Sequence, residues 1–272
     1  MAVKKVLITG GNGYIARSLA KGLIDCKIEV ITRKDLDLTD SEACRMYFYN
    51  KTYDTIIHTA IEGGSRLKQD DFTNTDNNLR MYLNLMKHAA VCDKFISFGS
   101  GAELYNSNTP YGLSKFVIRQ SMLDKPNCFN IRVFAVFDEY ELNTRFIKSN
   151  LFRYLQDEDM VIHQDKYMDF FHMSDLVKLV EYYIHNDNPP KEVDCCYPQA
   201  SSLYEIATFI NKLSNKKSNI KIETSGHGNS YTGNFLDLGL DYLGLENGIK
   251  DVYNKIKAGK YDVNDHIAYC LG

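Results

Sequence analysis

The chain has 272 residues, with 32 Lys and Arg against 35 Asp and Glu and a formal net charge of −3. Its 44% hydrophobic and 25% charged content is that of a soluble globular protein and excludes a disordered or collagen-like chain. So even a charge balance provides no long-range field for a polyanion, and nucleic acid is not expected as a partner. Seven cysteines, an odd number without a Cys-x-x-Cys pair, fit reduced thiols in a cytoplasm better than a disulfide framework. Met-Ala-Val-Lys-Lys runs straight into Val6-Leu7-Ile8, too short for the apolar part of a leader. No apolar run approaches the roughly 18 residues of a spanning helix, so no membrane is expected either.

Val3 to Thr9 is a β-branched run that predicts a strand covered on both faces. Gly10-Gly11-Asn12-Gly13 interrupts it, and Tyr14 to Leu23 repeats Ile15, Leu19 and Leu23 at helical spacing. Further strands are expected at 28–32, 54–60, 94–98 and 130–137. A helix over 77–90, striped by Leu79, Leu83 and Met86, separates the third from the fourth. Another begins at Pro110, where a missing N–H costs nothing, and runs to about Leu123. This alternation predicts an α/β fold with a doubly wound parallel sheet of the Rossmann type. Past residue 140 the rhythm changes. Helices are expected near 143–156, 174–186 and 202–213, strands near 159–163, 193–197 and 219–223, and an exposed loop from Ser225 to Gly233.

The glycine turn has the strand before it and the helix after it that dinucleotide binding requires. Gly10 suits the tight turn, and Gly13 the approach of a pyrophosphate to the helix that opens at Tyr14 and Ile15. The second strand ends in Thr32-Arg33-Lys34, where a 2′-phosphate would find a cation, so NADP is favoured. Arg33 is the better candidate, since a guanidinium both stacks on adenine and pairs with phosphate. NAD stays open because Asp35 is within reach of a ribose. Asp37-Leu38 would set a carboxylate beside the adenine amine.

Tyr111-Gly-Leu-Ser-Lys115 puts a phenol and an ammonium four residues apart on one face of the Pro110 helix. A phenol with a pKa of about 10 is a poor acid–base at neutral pH, and a neighbouring cation stabilises its phenolate. Ser100, just past the fourth strand, would donate to a substrate carbonyl, so the three groups would converge beside a hydride-accepting carbon.

With TGGNGYIA at 9–16, HTA at 58–60, Asn78 with LNLMKHA at 83–89, FGSGAELY at 98–105 and YGLSK at 111–115, the chain resembles an extended short-chain dehydrogenase/reductase. The similarity to the NDP-sugar epimerase/dehydratase/reductase branch continues through IRVFAVF at 131–137 and DFFHMSDLVKLVE at 169–181. The resemblance implies Tyr111 as the catalytic acid–base, Lys115 as its partner and ribose ligand, and Ser100 as the hydroxyl orienting the substrate oxygen. Anchoring on Tyr105 instead would put Gly101 in that last place. It also implies His58, Thr59 and Ala60 along the cofactor, and a nucleotide-sugar substrate held by the second half. The expected division is a dinucleotide-binding domain over 1–140 and a small α/β substrate cap over 141–272, with segments of the cap returning to the sheet. A homodimer is expected, since relatives pair the helices at 77–90 and 111–123.

Three reactions share such a scaffold. A 4,6-dehydratase needs an acid and a base after the serine, where Glu103 is a partial match and Ala102 supplies nothing. A 4-epimerase keeps tightly bound NAD. A keto-reductase needs only Tyr, Lys, the hydroxyl and exchangeable NADPH. Arg33 and the missing acid–base pair favour reduction of a 4-keto-6-deoxy NDP-sugar, and a non-catalytic nucleotide-binding scaffold is the alternative of another class. Glu103, Arg145 and Asn150 are the expected substrate residues, Arg145 and Asn150 lying on the first helix of the second half. Lys148 and Arg153 share that helix, where basic groups would meet a diphosphate. Ser174 or Asp175 is expected to cap the helix after His172. The histidines lack metal-ligand spacing, so no metal site is expected.

Overall fold

The computed structural model describes residues 3–65, 68–88 and 92–261. β1 (Lys4–Thr9) encloses Val6, Leu7, Ile8 and Thr9 completely, as a strand covered on both faces must. α1 (Tyr14–Gly22) turns Ala16 and Leu19 inward, and β2 (Cys26–Ile31) follows. α2 (Ser41–Phe48) starts where the Asp40 carboxylate accepts from the amides of Glu42 and Ala43. After β3 (Tyr53–His58), α3 (Phe72–Met86) opens on a capping box between Asp71 and Asn74. β4 (Cys92–Ser100) leads through the single turn α4 (Ala102–Tyr105) to α5 (Pro110–Met122) and β5 (Cys128–Val133).

The later elements are shorter. They are β6 (Val136–Phe137), α6 (Phe146–Leu155), β7 (Met160–Asp165), β8 (Tyr167–Met168), β9 (Phe171–His172) and α7 (Met173–His185). Then come β10 (Glu192–Cys195), β11 (Ser201–Ser202), α8 (Leu203–Ile210), β12 (Ile220–His227) and α9 (Leu245–Lys257).

Six strands form the main sheet in the order β10-β5-β4-β3-β1-β2, and β1 to β5 pair in parallel. From β2 the chain crosses back over β1 to lay down β3, so the winding reverses between β1 and β3. A crevice at the carboxyl ends of those strands follows from that reversal.

Two compact units result. One runs to Val133 and takes back Leu179–Val193; the other holds Phe134–Lys178 and the described residues from Asp194 on. Leu7, Ile56, Tyr82 and Phe95 lie at the centre of the first unit's core. The second unit buries Phe137, Ile147, Leu151, Ile206 and Val252 among others.

Several elements differ from expectation. The strand expected over 130–137 breaks at Phe134: β5 belongs to the main sheet, whereas β6 pairs with β9 in the second unit. The strand expected to stop near 223 continues to His227, because its parallel pairing with β7 extends, through a bulge, to Asp165. α2 and α9 were not expected. Asp175 does not cap α7; its carboxylate accepts from the amides of Leu243 and Gly244 and from the Tyr197 hydroxyl. The Ser174 hydroxyl lies 2.8 Å from His172 Nδ1. Among the described residues no helix is long and apolar enough to cross a membrane, and no three His, Cys, Asp or Glu side chains are grouped to hold a metal.

Candidate functional site

The turn after β1 is built for close approach. Gly10 has φ +70°, and a Cβ there would fall 2.7 Å from the Cα and N of Ala60 at the end of β3. Gly13 closes the turn by donating to the Gly10 carbonyl at 2.8 Å, and then serves as N-cap of α1 with no side-chain cap. No acidic residue sits in the first turn, which begins at half-buried Tyr14 and Ile15. Such a helix start favours an anion, and the glycines leave room for one.

β1 and β3 are tied together where they end. His58 Nδ1 lies 3.0 Å from the Thr9 hydroxyl, and the Thr59 hydroxyl donates to the Thr9 carbonyl at 2.6 Å. Burial, with the charge of Lys115 adding to it, pushes the His58 pKa down to about 3, so its imidazole is neutral at pH 7. Further along the crevice Arg33, 61% exposed, pairs with Glu62 at 3.1 Å and with Asp37 at 3.5 Å. Asp35 is folded back onto the amide and hydroxyl of Thr32, at 2.8 and 2.7 Å. Asp37 accepts from the Thr39 hydroxyl at 2.7 Å, and that bond first among several holds its carboxyl below the usual range. Leu38 does not face the crevice. Its side chain is buried in the first unit's core, and its carbonyl accepts from Asn84 at 2.9 Å.

Ser100 is the last residue of β4, in register with Val133, and its hydroxyl accepts from the Ala102 amide at 3.2 Å. α5 is set against it with little freedom. The Thr109 hydroxyl caps the helix, Pro110 takes its first turn, and a Cβ at Gly112 would overlap the Asn106 carbonyl. Tyr111 and Lys115 project from the first turns of this helix. The ring of Tyr111 lies against Gly64, where φ is +73° and a Cβ would fall 2.8 Å from ring carbons. Lys115 is only 8% exposed, and its Nζ donates to the Phe98 carbonyl at 2.5 Å. That carbonyl is its only hydrogen-bond acceptor among the described residues, and the Tyr111 ring centroid is 5.8 Å away. Burial pushes the Lys115 pKa down to about 8, with Glu103 opposing the shift. A buried ammonium with two N–H groups to spare is suited to ribose hydroxyls, and the glycine cradle is suited to a pyrophosphate. The first unit therefore fits a bound dinucleotide.

The expected substrate residues fare differently. Glu103 does not present its carboxylate to a ligand: its side chain is fully enclosed, 2.5 Å from Arg132 Nε and 3.0 Å from Asn130 Nδ2. Gly99 makes this approach possible, since a Cβ there would fall 2.6 Å from the Asn130 amide oxygen. Arg132 continues to Glu192 at 3.0 Å, which takes both arms of Arg119. Asn150 is likewise committed to structure. Its amide donates to the carbonyls of Phe146 and Val161, each at 3.1 Å, and accepts from the Val161 amide at 2.7 Å. Lys148 is completely buried, bonded to the carbonyls of Glu139 and Glu141. Arg145 remains as a half-buried N-cap residue of α6. In the loop after β12, the amides of Gly233 and Asn234 are held by Asp169 and Asp194, at 2.7 and 2.8 Å.

Sequence reasoning passed over the segment Glu62-Gly63-Gly64. Glu62 is gripped by Asn78, whose side-chain amide meets both its N–H and its carbonyl, and by Asn77 through its carboxylate. Adjacent glycines between a strand end and an aspartate were the available signal.

Several solved structures resemble this chain. WbmG from Bordetella bronchiseptica, in complex with NAD and UDP, superposes with a TM-score of 0.77 at 16% identity, covering 98% of this chain and 99% of that one. A GDP-D-glycero-L-gluco-heptose synthase from Campylobacter jejuni, with NADPH, gives 0.76 at 16% identity over 95% and 99%. A GDP-L-fucose synthetase from Naegleria fowleri, bound to NADP, gives 0.73 at 16% identity over 94% of each chain. No curated protein matches the sequence. The model of the NAD dependent epimerase/dehydratase family matches residues 6–196, from the first buried strand to the strand that returns to the sheet. With the glycine cradle, the buried lysine and the parallel sheet in place, the chain belongs to the NAD dependent epimerase/dehydratase family of NAD(P)-dependent enzymes.

Proposed function

We propose that the protein reduces the 4-keto group of a 4-keto-6-deoxy nucleoside-diphosphate sugar with NADPH. The burial of Glu103 carries the choice of reaction. It is the one carboxylate in the stretch from Ser100 to Tyr105, and it is spent on Arg132. A dehydratase would lack the acid or base that its elimination takes from that stretch.

NADPH, held by the glycine turn after β1 and by Lys115, would supply the hydride that the keto carbon accepts. As the carbonyl oxygen gains charge, Tyr111 Oη donates its proton to it, and the Ser100 hydroxyl hydrogen-bonds the same oxygen. The phenolate left behind is stabilised by the Lys115 ammonium and regains its proton from water. At pH 7 that ammonium is the main form, since its pKa is about 8. Arg33 would take the 2′-phosphate and Arg145 the sugar diphosphate, while the α1 start holds the pyrophosphate. The nucleotide-sugar class is supported by the GDP-L-fucose synthetase and GDP-heptose synthase that the fold resembles. α3 and α5 leave Leu83 54%, Phe116 37% and Val117 38% exposed, which supports a homodimer through these helices.

The test is the near-ultraviolet absorbance of NADPH in the presence of protein and a 4-keto-6-deoxy sugar linked to dTDP, GDP, UDP or CDP. Oxidation with at least one of them is expected. No oxidation with any would overturn the reaction.

A further inference from the structure

We propose that Glu62 is an internal stand-in for the cofactor's 2′-phosphate: it occupies the Arg33 guanidinium until NADPH displaces it, and so lowers the preference for NADPH over NADH. The proposal rests on Arg33 as the 2′-phosphate partner.

The geometry sets up an exchange of anions. Arg33 Nη1 lies 3.1 Å from Glu62 Oε1, and Nη2 lies 3.5 Å from Asp37 Oδ2, so carboxylates already engage both outer nitrogens. A phosphate bound through the two arms of the guanidinium needs those same N–H groups. Crowding three anions around one cation is unfavourable, so one carboxylate must leave. Asp37 is the less free of the two, since both the amide and the hydroxyl of Thr39 hold the oxygen that faces away from Arg33. Glu62 can leave without being stranded. Its other oxygen accepts from Asn77 Nδ2 at 2.7 Å, and its side chain is 25% exposed, so water can replace Arg33 at Oε1. Its backbone need not move, because the Asn78 amide clasps it at 2.8 and 2.9 Å. NADH carries a hydroxyl where NADPH carries the phosphate. It has no charge with which to compete for Arg33, and Glu62 stays paired.

The test is fluorescence titration of the full chain with NADPH and with NADH, in wild type, Glu62→Gln, Arg33→Met and the double variant. Gln keeps the length of Glu and an oxygen for Asn77 while removing the charge. Glu62→Gln is expected to bind NADPH about two- to fivefold tighter, the range for relieving a partly exposed ion pair, with NADH unchanged. On the Arg33→Met background the same change is expected to have no effect on NADPH. Thermal melting of each variant shows whether it is folded, and Glu62→Ala, expected to act in the same direction, replaces Glu62→Gln if that one is not. Unchanged or weaker NADPH binding in Glu62→Gln, or equal tightening of both cofactors, overturns the exchange. If Arg33→Met abolishes the preference for NADPH while Glu62→Gln changes nothing, the exchange falls and the reading of Arg33 stands. If Arg33→Met leaves the NADPH-to-NADH ratio as it was, both fall.

Discussion

Lys115 and Lys148 are both lysines shut away from water, one in each unit, yet they differ in what surrounds the ammonium. Lys148 is wholly buried and donates to two backbone carbonyls, at 2.6 and 2.5 Å. Those dipoles offset its lost hydration, and the side chain ties the segment at Glu139–Glu141 to α6. Lys115 has Phe98 O as its only acceptor among the described residues and an aromatic ring alongside. Its burial is incompletely compensated, which is why its pKa falls to about 8. A buried charge is therefore no mark of function by itself. Donors left over after the protein has made its own bonds are the better sign.

The largest change in stability is expected at Glu103. Glu103→Ala removes one side of a fully enclosed ion pair and should cost about 3–5 kcal/mol, read as a lowered urea midpoint. Next, Lys115→Met should lower kcat by about a hundredfold or more and raise the KM for NADPH, at little cost in stability. Lys148→Met should do the reverse. It strands two carbonyls for a loss of about 1–3 kcal/mol, while the rate per folded molecule holds. Equal effects of the two lysine variants on rate would remove the distinction between them.

Rate and stability are also expected to respond to pH, in opposite directions. Reduction should slow as pH rises through about 8, because the Lys115 ammonium is then lost. Stability should respond with the opposite sign. In the unfolded chain the lysine keeps its proton up to its ordinary value of 10.5, so between about 8 and there the unfolded state binds more protons. The contribution of this group to folding therefore rises with pH across that window. Denaturant titration of wild type against Lys115→Met would isolate it.

Much of the first unit could be read in the sequence, because a parallel strand buried on both faces writes itself as an unbroken apolar run. Val6-Leu7-Ile8 and Thr55-Ile56-Ile57 are such runs. α2 escaped because only Cys44 and Phe48 of its eight residues are buried, too few to make a stripe. α9 does carry one, in Ile249, Val252, Tyr253 and Ile256, but Gly244 at its cap and Gly248 inside it disguise the pattern. At the site, Gly10 and Gly13 were legible because backbone geometry demands glycine at the turn. The fates of Glu103, Lys148 and Asn150 were not, since a charged or amide side chain looks the same in sequence whether it meets a ligand or a carbonyl of its own chain. Arg132, set inside the apolar run Ile131 to Val136, was a signal that went unread: an arginine buried with its strand needs an acid such as Glu103 beside it.

The measurement that tests the account most directly is stopped-flow oxidation of NADPH by wild type, Tyr111→Phe and Lys148→Met. It would use the best keto-sugar found, with the NADPH Kd of each protein measured in parallel. Tyr111→Phe should be slower by at least about a hundredfold with its Kd unchanged, and Lys148→Met should match wild type. A Tyr111→Phe protein as fast as wild type would contradict the assignment of the proton to Tyr111.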